Sequence, residues 1–321
     1  MPDQRAAPNR WAAAAAPWAV WALLRATGAE RGYPLVPALA FTPYAAATSV
    51  LPLVAAVAAR SRTGTLLAAG AGAVLAGAVL GNRGVPAPAP PQGGERLRVA
   101  TVSLRKGLVA AEPVLELVRL YDVDLLAVQE LTPEAERRLR EAGLDRLLPH
   151  AAVIPARSGS VPSASGAVWS RLPLTACAAV PGEYEQPTVR VAAGAGSAVE
   201  LVSVHSAPPA TGPSSVRAWT SDLAALPAPV PGVLRVLAGD FNATPDHGAW
   251  RSLLRRGYVD AARATGRGAE WTWRPLRLPL PRMALDHVLV DPRIAVAGCR
   301  FVPVRGSDHR SVVADLVLPP G

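Results

Sequence analysis

Three long stretches near the start of this 321-residue chain carry no charged side chain: residues 11–24 (14 residues), 35–59 (25 residues) and 63–82 (20 residues). A hydrocarbon core about 30 Å thick is crossed by roughly 20 apolar residues in a helix. The second and third stretches therefore predict membrane-spanning helices outright. The first is short and contains Pro17, but its Trp11, Trp18 and Trp21 suit a bilayer interface. With it, residues 1–83 are expected to form a membrane region of about three transmembrane helices. An uncleaved signal-anchor or interfacial segment is the alternative for the first stretch, and the later two would still hold the protein in the bilayer. Arg5 and Arg10 precede the first stretch and Arg60 and Arg62 separate the second from the third, whereas Arg25, Arg31 and Arg83 flank the other side. This bias predicts a multi-pass protein of the cell membrane, N-terminus inside, with the long C-terminal part extracytoplasmic.

Residues 84–95 come next, with Pro86, Pro88, Pro90 and Pro91 among small residues. Alternating proline favours an extended, stiff spacer. Beyond it, over 96–321, short β-branched runs alternate with Arg- and Glu-bearing helical stretches. Half of the chain is hydrophobic and 18% is charged, which excludes a mainly disordered protein. Two cysteines exclude a disulfide-dense miniprotein and any Cys-built zinc or iron–sulfur framework. The net charge of +9 is compatible with nucleic acid, anionic lipid or phosphate-bearing substrates and selects none of them.

Strands are expected over 96–103, 123–128, 198–204, 232–237, 285–290 and 311–318, and a helix over 112–121. A further helix starts at Thr132, with Pro133 in its first turn. The result is a strand-rich α/β domain of about 225 residues, enough for a two-layered core covered by helices. Its polar residues fall at strand ends: Ser103, Glu130, His205, Asp240 with Asn242, Asp286, and Asp308 with His309. Rigid strand ends can hold such side chains toward a shared mouth. Carboxylates without cysteine suit hard cations such as Mg²⁺, Mn²⁺ or Ca²⁺. Two histidines beside carboxylates suit proton transfer. Together these are the parts needed for in-line hydrolysis of a phosphoester.

The stretches RVATVSLRKG, DLLAVQEL, LVSVHSAPP, LAGDFNATPDH, ALDHVLV and GSDHRSVVADL, in that order over 98–316, resemble the endonuclease/exonuclease/phosphatase superfamily. The three preceding hydrophobic segments look like a membrane-anchored bacterial branch of it. The resemblance implies a four-layered α-β-β-α sandwich of the deoxyribonuclease I type. It also implies that Glu130 is the main metal-ligand carboxylate and Asp308 a second one. Asp240 and Asn242 would contact the attacking water and the scissile phosphate, and His205 would contact phosphate or act as general acid. His309 would be the catalytic histidine, oriented by Asp286. Ser103 stands where the family normally has Asn, and its hydroxyl has less reach than an amide toward metal or phosphate.

The expected function is a membrane-anchored phosphoesterase dependent on a divalent metal, Mg²⁺ foremost. Its partners would be a nucleic acid or a lipid or inositol phosphate as substrate, and the bilayer; nothing indicates a protein partner. The alternative, motivated by Ser103, is a noncatalytic, membrane-tethered binding module of the same fold. His287 should face away from Asp286 by strand alternation and serve structure, and His150 and His247 are expected at the surface. Arg105 and Lys106 could meet substrate phosphate or be solvated loop charges. Trp271 and Trp273 could pack in the core or form a stacking wall. Cys177 and Cys299 are expected to be buried free thiols.

Overall fold

The protein is described here by a computed structural model covering residues 10–88, 93–193 and 197–320. Arg5 and residues 89–92 of the expected spacer lie outside the described residues. The first apolar stretch forms α1 (Arg10–Thr27), with Pro17 inside it. The second does not make one long helix. It breaks into α2 (Leu35–Leu39), α3 (Thr42–Thr48) and α4 (Val50–Ala58). Proline lacks an N–H and its ring clashes with the carbonyl four residues back, so it suits a helix start and not an interior. Pro43 accordingly sits in the first turn of α3. The third stretch forms α5 (Arg62–Asn82), whose N-cap Ser61 accepts a hydrogen bond from the Gly64 N–H at 3.3 Å. Among the described residues α5 is the one helix long and apolar enough to cross a membrane, in place of about three.

These helices pack with mainly alanine inward: Ala22, Ala45 and Ala71 form their buried cluster together with Leu75. Large apolar side chains point out, including Leu23, Leu51, Val54, Leu66 and Leu80. The expected spacer does not stand clear of the C-terminal domain. The Ala87 N–H donates to the Ala264 carbonyl at 2.7 Å, and the Gly268 N–H to the Arg83 carbonyl at 3.0 Å.

The described residues after these helices supply twelve strands. The first six are β1 (Arg96–Ser103), β2 (Leu125–Leu131), β3 (His150–Ile154), β4 (Ser165–Ser170), β5 (Leu174–Val180) and β6 (Gln186–Ala193). The second six are β7 (Ser197–His205), β8 (Leu234–Asp240), β9 (Val259–Asp260), β10 (Asp286–Val290), β11 (Ala295–Pro303) and β12 (Arg310–Val317). They form two six-stranded mixed sheets, ordered β11-β12-β1-β2-β4-β3 and β5-β6-β7-β8-β10-β9. Strand alternation divides each strand between two faces. Val99, Leu125, Val191, Leu201, Val236 and Val288 meet between the sheets. Residues of the opposite parity, Ala100, Val102, Leu126 and Val128, pack under α6 (Ala111–Leu120) and α7 (Pro133–Glu141). On the far side Val202, Val204 and Leu237 pack under α8 (Pro213–Ala225) and α9 (Gly248–Arg255), through Trp219, Trp250 and Leu253. The layers therefore run α-β-β-α.

The helical region is locked to this sandwich. Val36 joins the same apolar cluster as Trp219 and Trp250. Arg25 Nε meets Asp246 Oδ1 at 2.5 Å, and Asn82 Nδ2 donates to that same oxygen at 3.0 Å. Glu30 accepts from the Gly248 N–H, and the Tyr44 hydroxyl accepts from the Arg282 N–H at 2.6 Å.

Candidate active site

Strand register brings the first half of the site together. His205 at the end of β7 lies opposite Asp240 at the end of β8, and Asp240 lies opposite Asp286 at the start of β10. Laterally paired residues project to the same face. Two residues deeper along the paired strands, Ala238 and Val288 belong to the core between the sheets, so all three polar side chains point into the space between the sheets at its mouth. Just past β8 the Asn242 N–H donates to Asp240 Oδ1 at 2.9 Å, an Asx turn. Asn242 has φ 46° and its Nδ2 donates to the Ser206 carbonyl at 2.9 Å.

The other sheet supplies the second half. Ser103 ends β1 opposite Gln129 of β2. The register of β2 then slips between Val128 and Leu131, and Glu130 sits there with φ 55°. A bulge of this kind re-aims a side chain, and here it turns the carboxylate to the mouth, where it accepts the Lys106 N–H. Asp308 and His309 precede β12. The Ser307 hydroxyl donates to the Ser103 carbonyl at 2.9 Å and accepts the His309 N–H at 3.0 Å, which ties this turn to β1. His309 then reaches across to the opposite sheet: its Nδ1 lies 2.8 Å from Asp286 Oδ2, and its Nε2 4.0 Å from Asp240 Oδ2.

One cavity of about 480 Å³ is lined by Glu130, His205, Asp240, Asn242, Asp308 and His309, with Lys106 at its edge. Asp286 is buried behind His309, and Ser103 is buried as well, its Oγ without a hydrogen-bond partner. The eight side chains expected to form the site thus gather at one end of the sandwich. Sequence reasoning missed others. Tyr184 stacks its ring on His205 with centroids 4.3 Å apart, and a single tyrosine in a polar loop gives no sequence signal for that. Trp273 lines the cavity and donates its indole N–H to Asp308 Oδ2 at 3.2 Å, so of its two readings the wall is nearer than the core. His247 is not at the surface. It is buried, its Nδ1 accepting the Thr244 N–H at 2.9 Å and its Nε2 lying 3.0 Å from the Val36 carbonyl. His287, on the far face of β10, lies 2.9 Å from the Ala243 carbonyl and stacks on Trp250. Cys177 and Cys299 are both free, the first only partly buried.

Burial opposes charge on His309, but the Asp286 carboxylate, by its charge and its hydrogen bond, and then Asp240 outweigh burial and push the imidazole up to about 10. It is therefore a cation at neutral pH. His205 goes the other way, down to about 3, through burial first and the neighbouring His309 charge second, so it is neutral. Asp240 is pushed well above the ordinary carboxylate range by burial and then by Asp286. Burial likewise raises Glu130 against the Lys106 N–H.

Among the described residues, one group of three potential ligands lies within 4.8 Å: Asp240, Asp286 and His309. Its geometry is that of an oriented histidine beside a second carboxylate, because His309 Nδ1 is already engaged by Asp286. The donors left facing the cavity are oxygens: Glu130, Asp308 and the outer oxygen of Asp240. Three carboxylates in one cavity, with no lysine or arginine ion-paired to them among the described residues, fit a hard divalent ion.

The match to known proteins agrees with the layered architecture. The model of the endonuclease/exonuclease/phosphatase family matches residues 63–309. No curated protein matches the chain in sequence. Among solved structures, a humanized Danio rerio TDP2 carrying 14 mutations is 13% identical, covering 69% of this chain and 98% of that one, with a TM-score of 0.53. The endonuclease/exonuclease/phosphatase from Beutenbergia cavernae DSM 12333 is 18% identical, covering 70% and 72%, with a TM-score of 0.51. A protein of unknown function from Enterococcus faecalis V583 is 15% identical, covering 69% and 99%, with a TM-score of 0.52. At these identities the likeness establishes the shared fold, while the family rests on the match over 63–309 together with the motifs that carry it. The chain belongs to the endonuclease/exonuclease/phosphatase family.

Proposed function

We propose that this chain is a membrane-anchored phosphoesterase that hydrolyses its substrate with the help of a divalent cation, Mg²⁺ foremost. The observation that carries the reading is the buried His309–Asp286 pair at 2.8 Å, with Asp240 4.0 Å from the other ring nitrogen, in one cavity with Glu130 and Asp308. Glu130 and Asp308 would hold the cation, which when bound supplies positive charge to a phosphoryl oxygen. Asp240, held in its turn by the Asn242 N–H, positions the attacking water and takes its proton. Asn242 presents its amide beside the phosphate. His309 enters as an imidazolium held by Asp286, so it stabilises charge developing on phosphate and can give its Nε2 proton to the leaving oxygen. His205 is neutral and, stacked under Tyr184, offers a hydrogen bond to phosphate without charge.

Anchoring is supported by α5, with its apolar length of 21 residues, and by the large apolar side chains that the N-terminal helices turn outward. In soluble proteins that distribution is reversed. An extracytoplasmic catalytic part is the orientation we propose, which protease accessibility in intact cells tests. The activity test uses the full chain in nanodiscs with bis(p-nitrophenyl) phosphate and p-nitrophenyl phosphate, with Mg²⁺, with Mn²⁺ and with chelator. Metal-dependent release of nitrophenol from either is expected. Absence of release from both, with the protein folded, leaves a noncatalytic tethered module of the same fold.

A further inference from the structure

The catalytic cavity has a polar floor and an apolar rim, and part of that rim comes from an unexpected place. Pro37, Ala40 and Phe41, from α2 and the bend before α3, line it together with Pro208, Pro209 and Met283. The first three precede the stretch that matches the family, residues 63–309. They are held firmly: Val36 is buried in the sandwich cluster, its carbonyl lies 3.0 Å from His247 Nε2, and Tyr44 is bonded to the Arg282 backbone.

Phe41 is also shared with a second cavity. A groove of about 270 Å³ on the N-terminal helices is lined by Pro17, Trp18, Trp21, Phe41, Tyr44 and Thr48. The polar atoms of its indoles are already satisfied, Trp18 Nε1 by Thr48 Oγ1 and Trp21 Nε1 by Thr42 Oγ1, each at 3.1 Å. What these rings offer a ligand is apolar surface. Phe41 is therefore common to the linings of the charged cavity and of an apolar groove on the helices that carry the outward-facing aliphatic residues. Among the described residues of the catalytic cavity lining, Lys106 is the one lysine or arginine. A polyanion such as nucleic acid is held mainly by several Lys and Arg contacts to successive phosphates, and the cavity lining itself supplies one.

We propose that the N-terminal helices form a tail-binding subsite, gated by Phe41, and that the substrate is a phosphoester carrying a long alkyl chain. Its phosphate lies over His309 and Asp240, and its chain runs past Phe41 into the Trp18–Trp21 groove. This rests on the phosphoesterase reading and narrows it. An alkyl chain stabilises such a complex in proportion to the methylenes it removes from water, so selectivity must grow with chain length while the track lasts.

The test uses the full chain in nanodiscs and two phosphodiesters with the same p-nitrophenyl leaving group, one methyl and one octyl, both below micellar concentration. We expect the octyl-to-methyl ratio of kcat/KM to be about tenfold or more. In Phe41→Gln, and separately in Trp18→Gln in case one variant misfolds, that ratio falls toward one. Binding of octylphosphonate against methylphosphonate, read by indole fluorescence and calorimetry, gives a readout that needs no turnover. Turnover of both esters at equal efficiency, or an unaltered ratio in both variants, overturns the subsite and leaves the phosphoesterase reading standing. Selective octylphosphonate binding without hydrolysis of either ester supports the subsite and overturns the phosphoesterase reading instead.

Discussion

Asp286→Asn removes one negative charge from behind His309 and leaves the side chain nearly the same shape. His309 stands at about 10 against an ordinary 6.5, which corresponds to about 5 kcal/mol in favour of the imidazolium. Asp286 is the largest favourable cause, and burial works against it. Without Asp286, burial is opposed only by the weaker pull of Asp240 and Asp308, and the His309 value falls. Because the folded value lies above the unfolded one, the stabilisation is complete below pH 6.5 and disappears as the pH rises toward 10. The substitution also relieves the repulsion that helps raise Asp240, so the net loss expected at pH 6 is about 2 kcal/mol, or roughly 5 °C in Tm. Thermal unfolding of wild type and variant in chelator, followed by tryptophan fluorescence from pH 6 to pH 10, should give a gap that closes as the pH rises. On the catalytic side, kcat for the p-nitrophenyl ester should fall about 10²- to 10⁴-fold. A Tm gap that is flat across this range, together with a kcat within threefold of wild type, refutes the view that Asp286 keeps His309 charged and oriented.

Three further outcomes are expected. Glu130→Gln should weaken Mg²⁺ binding in calorimetry at least tenfold and reduce metal-dependent turnover about 100-fold, while leaving Tm within a few degrees because the side chain is only partly buried. His205 should show no imidazole titration by NMR between pH 5 and 9, since its value lies near 3; a midpoint near 6.5 would place it in solvent. Arg25→Ala should cost about 3–5 kcal/mol, because it strands the buried Asp246 carboxylate. The double variant Arg25→Met with Asp246→Leu should recover most of that in the same unfolding assay, and failure to recover would mean that the pair is not what fastens the helices.

The site was legible in the sequence where chemistry coincides with strand ends. His205, Asp240 and Asp286 each close or open a β-branched run, and lateral pairing does the rest. The sheets were less legible at β3, β5 and β6. Alanine-rich runs such as Leu174–Val180 carry weak β preference and owe their form to their neighbours. The 35–59 stretch reads as one span because it lacks charge, but its prolines divide it into three short helices. His247 reads from its sequence neighbours as a surface residue; in the fold it bonds the Val36 carbonyl, 211 positions away, a contact that no local pattern reveals. The apolar rim was hidden for the same reason, since Phe41 belongs to a stretch that reads as membrane and not as site.

The lock between Arg25, Asn82 and Asp246 bears on how this protein can be handled. Asp246 lies four residues beyond Asn242 on the turn that leads out of the catalytic strand. A fragment trimmed to begin at β1 would leave that carboxylate without either of its partners, uncover the seat of Val36 beside Trp219, and take Phe41 from the mouth. The N-terminal helices and the sandwich are therefore fastened as one unit, and a truncation at β1 would report on a damaged protein.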